Sequence, residues 1–315
     1  MPRAIPALVI GVAVIAAGIS LAQMRVNPYV YFAGYVILQY VVLATAWNIL
    51  GGYTGYVNFG TPAFFALGAY AATFLMLAYK APFLVLLLAG GLISGLLGLG
   101  LGYLTLRLKG VFFSIATLAL TVVLQTLIIN WEFVGGAKGI SIIRPATVLF
   151  FSSYSKFLFV VMLCLAVGAI TIARWIEHSW IGRGLAAIRD NEEAAECMGV
   201  PTLKLKIFAT TLSGGLMGMA GVPFPWHVTL IEPGSAFNLD YAVNSLAMPM
   251  IGGTTTWVGP LVGAVLLGVA QQVATVTISS ELNLLIVGGV LVAFVILAPE
   301  GLVGLVRRLV KREHA

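Results

Sequence analysis

The feature that most constrains this sequence is a succession of apolar runs, several of them 18 residues or longer, separated by short polar stretches. A helical run of that length crosses a bilayer, because each residue adds about 1.5 Å and the hydrocarbon core is about 30 Å thick. The composition agrees, since 60% of the residues are hydrophobic and 9% are charged. A soluble domain carries about 25% charged residues. The sequence therefore predicts an all-α integral membrane protein.

About ten transmembrane helices can be drawn along the chain, and the eighth is too short to cross alone. We interpret the eighth as a half-helix that pairs with the ninth. The first could instead be a secretory signal peptide, because Ser20 to Ala22 resembles a cleavage site, but its length and the helices that follow favour a retained helix. The spans cover approximately residues 5–23, 29–50, 61–79, 83–106, 111–129, 157–173, 204–222, 240–251, 257–275 and 284–304.

The distribution of lysine and arginine predicts the orientation of these helices. With the N-terminus inside, twelve of the 17 cations fall on the cytoplasmic side and five on the other. This bias is what the positive-inside rule requires. Both termini are then cytoplasmic, residues 174–203 form a long cytoplasmic loop, and residues 305–315 form a basic cytoplasmic tail. We expect a single polytopic domain over residues 1–315, with residues 130–156 as the main external loop and residues 223–239 as a shorter external turn.

Two glycine-rich segments, residues 50–70 and 251–270, resemble each other and indicate a possible two-fold internal repeat. Each runs Gly-Gly, then Thr, then an irregular polar stretch, then a helix rich in Gly and Ala. Interrupted helices in corresponding halves point to a transport site. The neutral polar residues near these breaks are candidate pathway residues, with hydrogen bonding between helices as the alternative role. They are Asn48, Tyr53, Thr54, Asn58, Thr61, Asn244 and Thr254.

No arrangement of residues in the sequence indicates an enzyme. There is no phosphate-binding GxxxxGK[ST] loop, and the three histidines are scattered without metal-ligand spacing. We therefore expect no catalytic residue, no metal and no cofactor in this chain. The net charge of +6 is explained by cations that fix topology, so we do not expect nucleic-acid binding.

The stretch NEEAAECMG, residues 191–199, concentrates charge in a sequence that otherwise avoids it. Asp190 or Asn191 can cap a short helix whose first turn carries Glu192 and Glu193, where the helix dipole favours anions. Gly199 supplies a stop, with a proline two residues later. The pattern predicts two short amphipathic helices in the cytoplasmic loop that bind a partner protein; the alternative is a solvated loop that only fixes topology.

Several motifs together resemble the LivM-type permeases of branched-chain amino acid ABC importers. They are NILGGYTGYVNFGTPAFFALGAYAA, GRGLAAIRDNEEAAECMGV, GGLMGMAGV, MIGGTTTWVGPLVGAVLLG and APEGLVG, in that order. Glu193, Ala194 and Ala195, followed by Gly199, also fit the start of the EAA signature of ABC importer permeases, although no Leu-Pro follows at the expected distance.

The resemblance implies a multi-pass subunit of the bacterial cytoplasmic membrane that pairs with a second, homologous permease in the lipid bilayer. Two ATP-binding subunits would bind the cytoplasmic loops, and an extracytoplasmic solute-binding protein would deliver leucine, isoleucine or valine. ATP would be bound by the partners, and Glu192, Glu193 and Glu196 would set the docking register by charge. The implied coupling residues are Arg183, Arg189, Asp190, Glu192, Glu193, Ala194, Ala195 and Gly199.

Three alternatives stay open at this point. The same permease group carries urea, short amides and aromatic acids, and a neutral pathway does not separate these solutes. An ion-coupled secondary transporter would need intramembrane ionisable residues, which are scarce here. A purely structural scaffold would not need broken helices.

Overall fold

The apolar runs form helices whose ends lie within a few residues of the predicted ends. The computed structural model describes residues 4–23, 27–105, 110–143, 151, 153–277, 288–289 and 301–304. The helices are α1 Ala4–Gln23, α2 Pro28–Thr54, α3 Thr61–Tyr79, α4 Phe83–Thr105, α5 Val111–Ile129, α6 Tyr154–His178, α7 Trp180–Asp190, α8 Glu192–Cys197, α9 Thr202–Gly221, α10 Phe224–Val228, α11 Pro233–Ala236, α12 Asp240–Gly252 and α13 Val258–Thr277. Two short strands are β1 Ile140–Ser141 and β2 Leu230–Ile231.

Seven of the described helical stretches are long and apolar enough to cross a membrane, so the chain is a multi-pass membrane protein. The predicted tenth span, 284–304, falls mostly outside the described residues, and the basic tail, 305–315, falls entirely outside them. A further difference concerns the sixth span, because α6 continues through His178. The first residues of the predicted cytoplasmic loop therefore extend a membrane helix.

Helix α12 has 13 residues, as expected for a half-helix, and it packs closely against α13. The contact is between backbones: a Cβ added to Gly252 would lie 1.8 Å from the carbonyl oxygen of Gly259. No side chain larger than hydrogen fits there. The eighth and ninth predicted spans therefore pack against each other through their backbones.

Helices α3, α4 and α9 pack into one body through glycines. A Cβ on Gly68 of α3 would lie 2.1 Å from the carbonyl oxygen of Gly218 of α9, and a Cβ on Gly98 of α4 would lie 2.7 Å from that of Thr210. Where the surrounding lipid is as apolar as the side chains, such close approach supplies the van der Waals contact that holds helices together. We call α3, α4 and α9 the glycine-packed body.

The irregular segments between helices fall into two groups by contact. Strand β1, from the predicted external loop 130–156, pairs antiparallel with β2, from the predicted external turn 223–239, with Ile140 opposite Ile231. At the other ends of the helices, the turns after α2 and α12 contact the segment 174–203. Segments predicted to share one side of the membrane therefore do lie together.

Candidate functional site

The segment 174–203, here called the charged loop, forms the two short helices that the sequence predicts. Asn191 caps α8, because its Oδ1 accepts a 3.0 Å hydrogen bond from the main-chain nitrogen of Ala194. Gly199 adopts φ +82°, a left-handed conformation that suits glycine and ends the helix. The main-chain nitrogen of Val200 then donates to the carbonyl oxygen of Ala195. The predicted cap and stop are both confirmed.

Three polar side chains from three separate elements meet at the start of α8. The Nζ of Lys206, on α9, donates to Oε1 of Glu192 at 2.6 Å and to the hydroxyl of Tyr56 at 3.2 Å. The Tyr56 hydroxyl in turn donates to Oε2 of Glu192 at 2.5 Å. Each of the three residues contacts the other two, and we call them the buried triad.

Burial makes it energetically costly to separate the charges of Lys206 and Glu192. The side chain of Lys206 is 3% exposed and that of Glu192 is 16% exposed. Among the described residues, Lys206 is the one charged residue that is fully buried. An unpaired charge at such a site is strongly unfavourable, so the lysine needs its glutamate and its tyrosine. Lys206 also lies over the Tyr56 ring, 4.7 Å from its centroid.

The environment fixes Tyr56 as a hydrogen-bond donor. Burial, together with the hydrogen bond to Glu192, raises the pKa of Tyr56 well above its ordinary value near 10. The phenol therefore stays protonated throughout the physiological range. It can donate to the carboxylate while its oxygen accepts from the ammonium of Lys206.

Further hydrogen bonds link the charged loop to the end of α2 and to α9. Arg189 donates from Nη1 to the carbonyl oxygen of Gly52 at 3.3 Å. Thr202 donates from Oγ1 to Oε1 of Glu196 at 2.6 Å, which joins the C-terminal end of α8 to the start of α9. Glu192 and Glu196, which the sequence assigned to docking, thus make contacts within the chain.

The end of α6 contacts the second glycine-rich break, which is the non-helical stretch 253–257 between α12 and α13. Glu177 accepts a 2.6 Å hydrogen bond at Oε2 from the main-chain nitrogen of Trp257, and Arg174 lies over the Trp257 ring at 5.2 Å. The two breaks also meet each other, because a Cβ on Gly52 would lie 2.7 Å from the carbonyl oxygen of Thr254. The charged loop, whose first residues form the end of α6, therefore contacts both breaks.

The remaining loop residues present a mixed apolar and charged surface. Met198 is 84% exposed, and Glu193 and Ala194 are also exposed on α8. Arg183 is exposed on α7, and the Asp190 side chain is 76% exposed. We call these five residues the loop surface. Ala195, in contrast, is buried.

The predicted pathway residues lie inside the packed chain. Exposure is at most 5% for six of the seven, and Thr254 is partly buried. Thr61 and Ser245 share a hydrogen bond at 3.0 Å, which joins α3 to α12. Asn58 accepts at Oδ1 from the main-chain nitrogen of Gly60. The Asn48 amide has no hydrogen-bond partner among the described residues.

A cavity of about 200 Å³ lies beside the N-terminal half of α2 and the start of α12, away from the helix ends that contact the charged loop. Asn244 connects to it, because its Nδ2 donates to the Tyr40 hydroxyl at 3.4 Å and its Oδ1 accepts from Gln271 at 2.7 Å. Most walls are aromatic or apolar, and Gln39 and His227 are polar. The lining residues are Val36, Gln39, Tyr40, Phe224, His227, Val228 and Tyr241.

Sequence reasoning missed the residues of the candidate site that depend on distant contacts. Tyr56 and Lys206 were not among the candidate site residues, and neither was Glu177. One signal was available for Lys206, because a lysine five residues into an apolar helix needs a buried partner. For Tyr56 there was no local signal.

Residues 29–295 match the family described as the permease component of the branched-chain amino acid transport system. The chain is 28% identical to the high-affinity branched-chain amino acid transport system permease protein LivM of Salmonella typhimurium, over 85% of this chain and 68% of that protein. It is likewise 28% identical to LivM of Escherichia coli strain K12, over 87% of this chain and 70% of that protein.

A more limited similarity connects the chain to a sugar permease. The ribose import permease protein RbsC of Escherichia coli strain K12 is 30% identical over 112 residues, which cover 32% of this chain and 34% of that protein. The similarity to the LivM proteins extends over most of the chain and therefore weighs more.

Proposed function

Since this chain belongs to the permease-component family of branched-chain amino acid transport systems, we propose that it is one permease subunit of an ABC importer for leucine, isoleucine and valine. It would lie in the bacterial inner membrane with both termini in the cytoplasm. Like its relatives it would act in transport, with ATP hydrolysed on partner subunits.

The observation that carries this proposal is the contact between the charged loop and both glycine-rich breaks. Glu192 contacts Tyr56 beside the first break, and Glu177 contacts Trp257 beside the second. A loop that only fixed topology would not need these hydrogen bonds to helix interruptions. A loop that passes a partner's movement to the pathway would need them.

The partners of the importer follow from the surfaces of this chain and from its family. An ATP-binding subunit would bind the loop surface, where Met198 supplies an apolar contact and Arg183, Asp190 and Glu193 supply charge around it. Charges at the rim of such an interface set register and association rate more than affinity. A second, homologous permease and an extracytoplasmic solute-binding protein would complete the assembly.

In this mechanism the movement begins when the two ATP-binding subunits close on ATP. The loop surface would follow its ATPase, and the helices attached to the charged loop would follow in turn. Closure of two bodies around one site is a standard form of alternating access. The chain would contribute its helices and the polar residues near the breaks.

The solute would contact the cavity lined by Tyr40, Tyr241 and Phe224 on its way through this subunit. Apolar and aromatic walls suit a branched aliphatic side chain, and Gln39 with the Tyr40 hydroxyl offers hydrogen bonds to the polar end. Urea and short amides lack the apolar part that such walls recognise. This contrast favours branched-chain amino acids.

The experiment that tests the proposal is reconstitution of this chain with a second permease, two ATPases and a solute-binding protein from the same organism. ATP-dependent uptake of labelled leucine into proteoliposomes is expected. Glu193→Lys combined with Gly199→Asp should abolish uptake while membrane insertion is retained, because the first reverses a charge of the loop surface and the second strains the helix stop.

The solute itself is best identified by calorimetry on the binding protein. Tight binding of leucine, isoleucine or valine, with no heat from urea, ribose or benzoate, is the expected result. Uptake that proceeds without the ATPases, or a double mutant that transports normally, would contradict the proposed function.

A further inference from the structure

We propose that Tyr56 and Lys206 are positioning residues for transport: with Glu192 they fix α8 to the glycine-packed body, so that movement of the loop surface displaces that body as one unit. The inference rests on the proposed function and deepens it. It assigns the transmission of movement to three side chains.

The first step is the connectivity of the buried triad. Glu192 is the first residue of α8, Lys206 lies in the second turn of α9, and Tyr56 lies in the break between α2 and α3. One cluster therefore joins three separate elements. The Tyr56–Glu192 and Lys206–Glu192 contacts bridge 136 and 14 residues of chain.

The second step is that the triad resists opening. To slide α8 away from α9, the ammonium of Lys206 would have to lose its carboxylate while its side chain is 3% exposed. An uncompensated buried charge is far more costly than a shift of the whole cluster. The cluster therefore moves as a unit with α8.

Movement of the buried triad with α8 also displaces the helices that are packed against α9. Lys206 belongs to α9, and α9 is packed against α3 and α4 through glycines with backbones in contact. Gly218, for example, approaches the Ser94 side chain and the Gly90 backbone of α4 as well as Gly68 of α3. Close-packed interfaces of this kind move as rigid bodies or shift between discrete arrangements, and they do not deform continuously. Displacement of α8 is thus passed to three membrane helices.

The buried triad is distinct from the surface that would bind an ATP-binding subunit. None of the three side chains belongs to the loop surface: Tyr56 and Lys206 are buried, at 8% and 2% exposed, and the Glu192 side chain is 16% exposed. Their loss would leave the surface that an ATPase contacts in place. We therefore expect variants of these residues to transport less solute per ATP hydrolysed and to retain binding of the ATPase.

The test measures solute taken up per ATP hydrolysed by the complete importer in proteoliposomes. Tyr56→Phe keeps the ion pair and the ring and removes one hydroxyl, whereas Lys206→Met removes the charge at similar volume. Both should retain the ATPases on purification and continue to hydrolyse ATP. Uptake per ATP should fall about fivefold or more for Lys206→Met and by less for Tyr56→Phe.

Matched controls come from α9 and from the end of α3. Lys204→Met removes an exposed charge two residues earlier on α9, and Tyr79→Phe removes the hydroxyl of a tyrosine that is 73% exposed. Both should keep the wild-type ratio. The exchange Glu192→Lys with Lys206→Glu restores opposite charges and should recover part of the ratio lost in Lys206→Met.

Two outcomes would overturn the inference. One is an unchanged ratio of uptake to ATP in both Tyr56→Phe and Lys206→Met. The other is a parallel loss of ATPase binding and uptake in Tyr56→Phe, which would make the triad part of docking. If Lys206→Met fails to assemble, Tyr56→Phe decides. Failure of the proposed function is recognised separately, because the wild-type assembly would then show no ATP-dependent uptake.

Discussion

The main-chain nitrogen of Trp257 donates a 2.6 Å hydrogen bond to Oε2 of Glu177, which joins the last turn of α6 to the turn between α12 and α13. Residues 253–257 are not helical, and the Glu177 carboxylate supplies the acceptor for the Trp257 N–H in this turn. The half-helix α12 ends at Gly252, five residues before Trp257.

We expect Glu177→Ala to destabilise the protein, because it leaves the Trp257 N–H without its acceptor. The cost of an unsatisfied, partly buried donor is about 1–3 kcal/mol. Glu177→Gln retains an acceptor oxygen and should lose less. The measurement is the midpoint of thermal unfolding in detergent, with Glu132→Gln in the predicted external loop as the control. Equal midpoints for the Ala variant and the wild type would contradict this role.

Removal of the α8 cap should weaken ATPase binding. Asn191→Ala deletes the acceptor for the Ala194 N–H and should cost about 1 kcal/mol of helix stability. Since α8 has only six residues, loss of its cap destabilises the whole helix and with it the part of the loop surface that the helix carries. We expect the dissociation constant for the ATPase, titrated against the permease in nanodiscs, to rise about fivefold. Asn191→Ser can still cap and serves as the control; an equal loss in both variants would exclude capping as the cause.

The glycine-packed body should not tolerate a side chain at its centre. In Gly218→Val the first carbon would lie 2.3 Å from the Ser94 side chain and 2.7 Å from the Gly90 carbonyl oxygen. We expect the variant to fail to accumulate in the membrane. Gly100→Val is the control, because a Cβ at Gly100 meets nothing within 4 Å. Similar accumulation of both variants would show that the contact is dispensable.

Filling the cavity should block uptake without affecting assembly. Val36→Trp projects a large ring into a space of about 200 Å³, whereas Val30→Trp places the same ring on an exposed part of α2. We expect uptake to fall about tenfold or more in the first variant and to persist in the second. The complex should purify intact in both cases. Normal uptake by Val36→Trp would place the solute route elsewhere.

Helix positions could be predicted from the sequence because they depend on local properties. The third span was predicted as 61–79 and is observed as Thr61–Tyr79, with Pro62 in its first turn. The α8 cap and stop were predicted for the same reason, since Asn191 and Gly199 act on residues at most a few positions away.

The site could be predicted only in part, because its central contacts are between residues far apart in the chain. Glu192 was assigned to docking because charge in a loop normally faces solvent or a partner. The structure places it against Lys206 and Tyr56, which no local pattern brings together. The roles of the loop surface and of the pathway residues remain predictions.

The sequence separation within the buried triad has a consequence for how the protein is made. Tyr56 leaves the ribosome 136 residues before Glu192 and 150 before Lys206. At about 5–20 residues per second, the break between α2 and α3 waits for about 7–30 s before its partners are synthesised. Over this interval the newly inserted hairpin exposes polar groups that the finished protein buries. Chains that stop in between would remain open at this face, and a membrane protease could distinguish them from completed molecules.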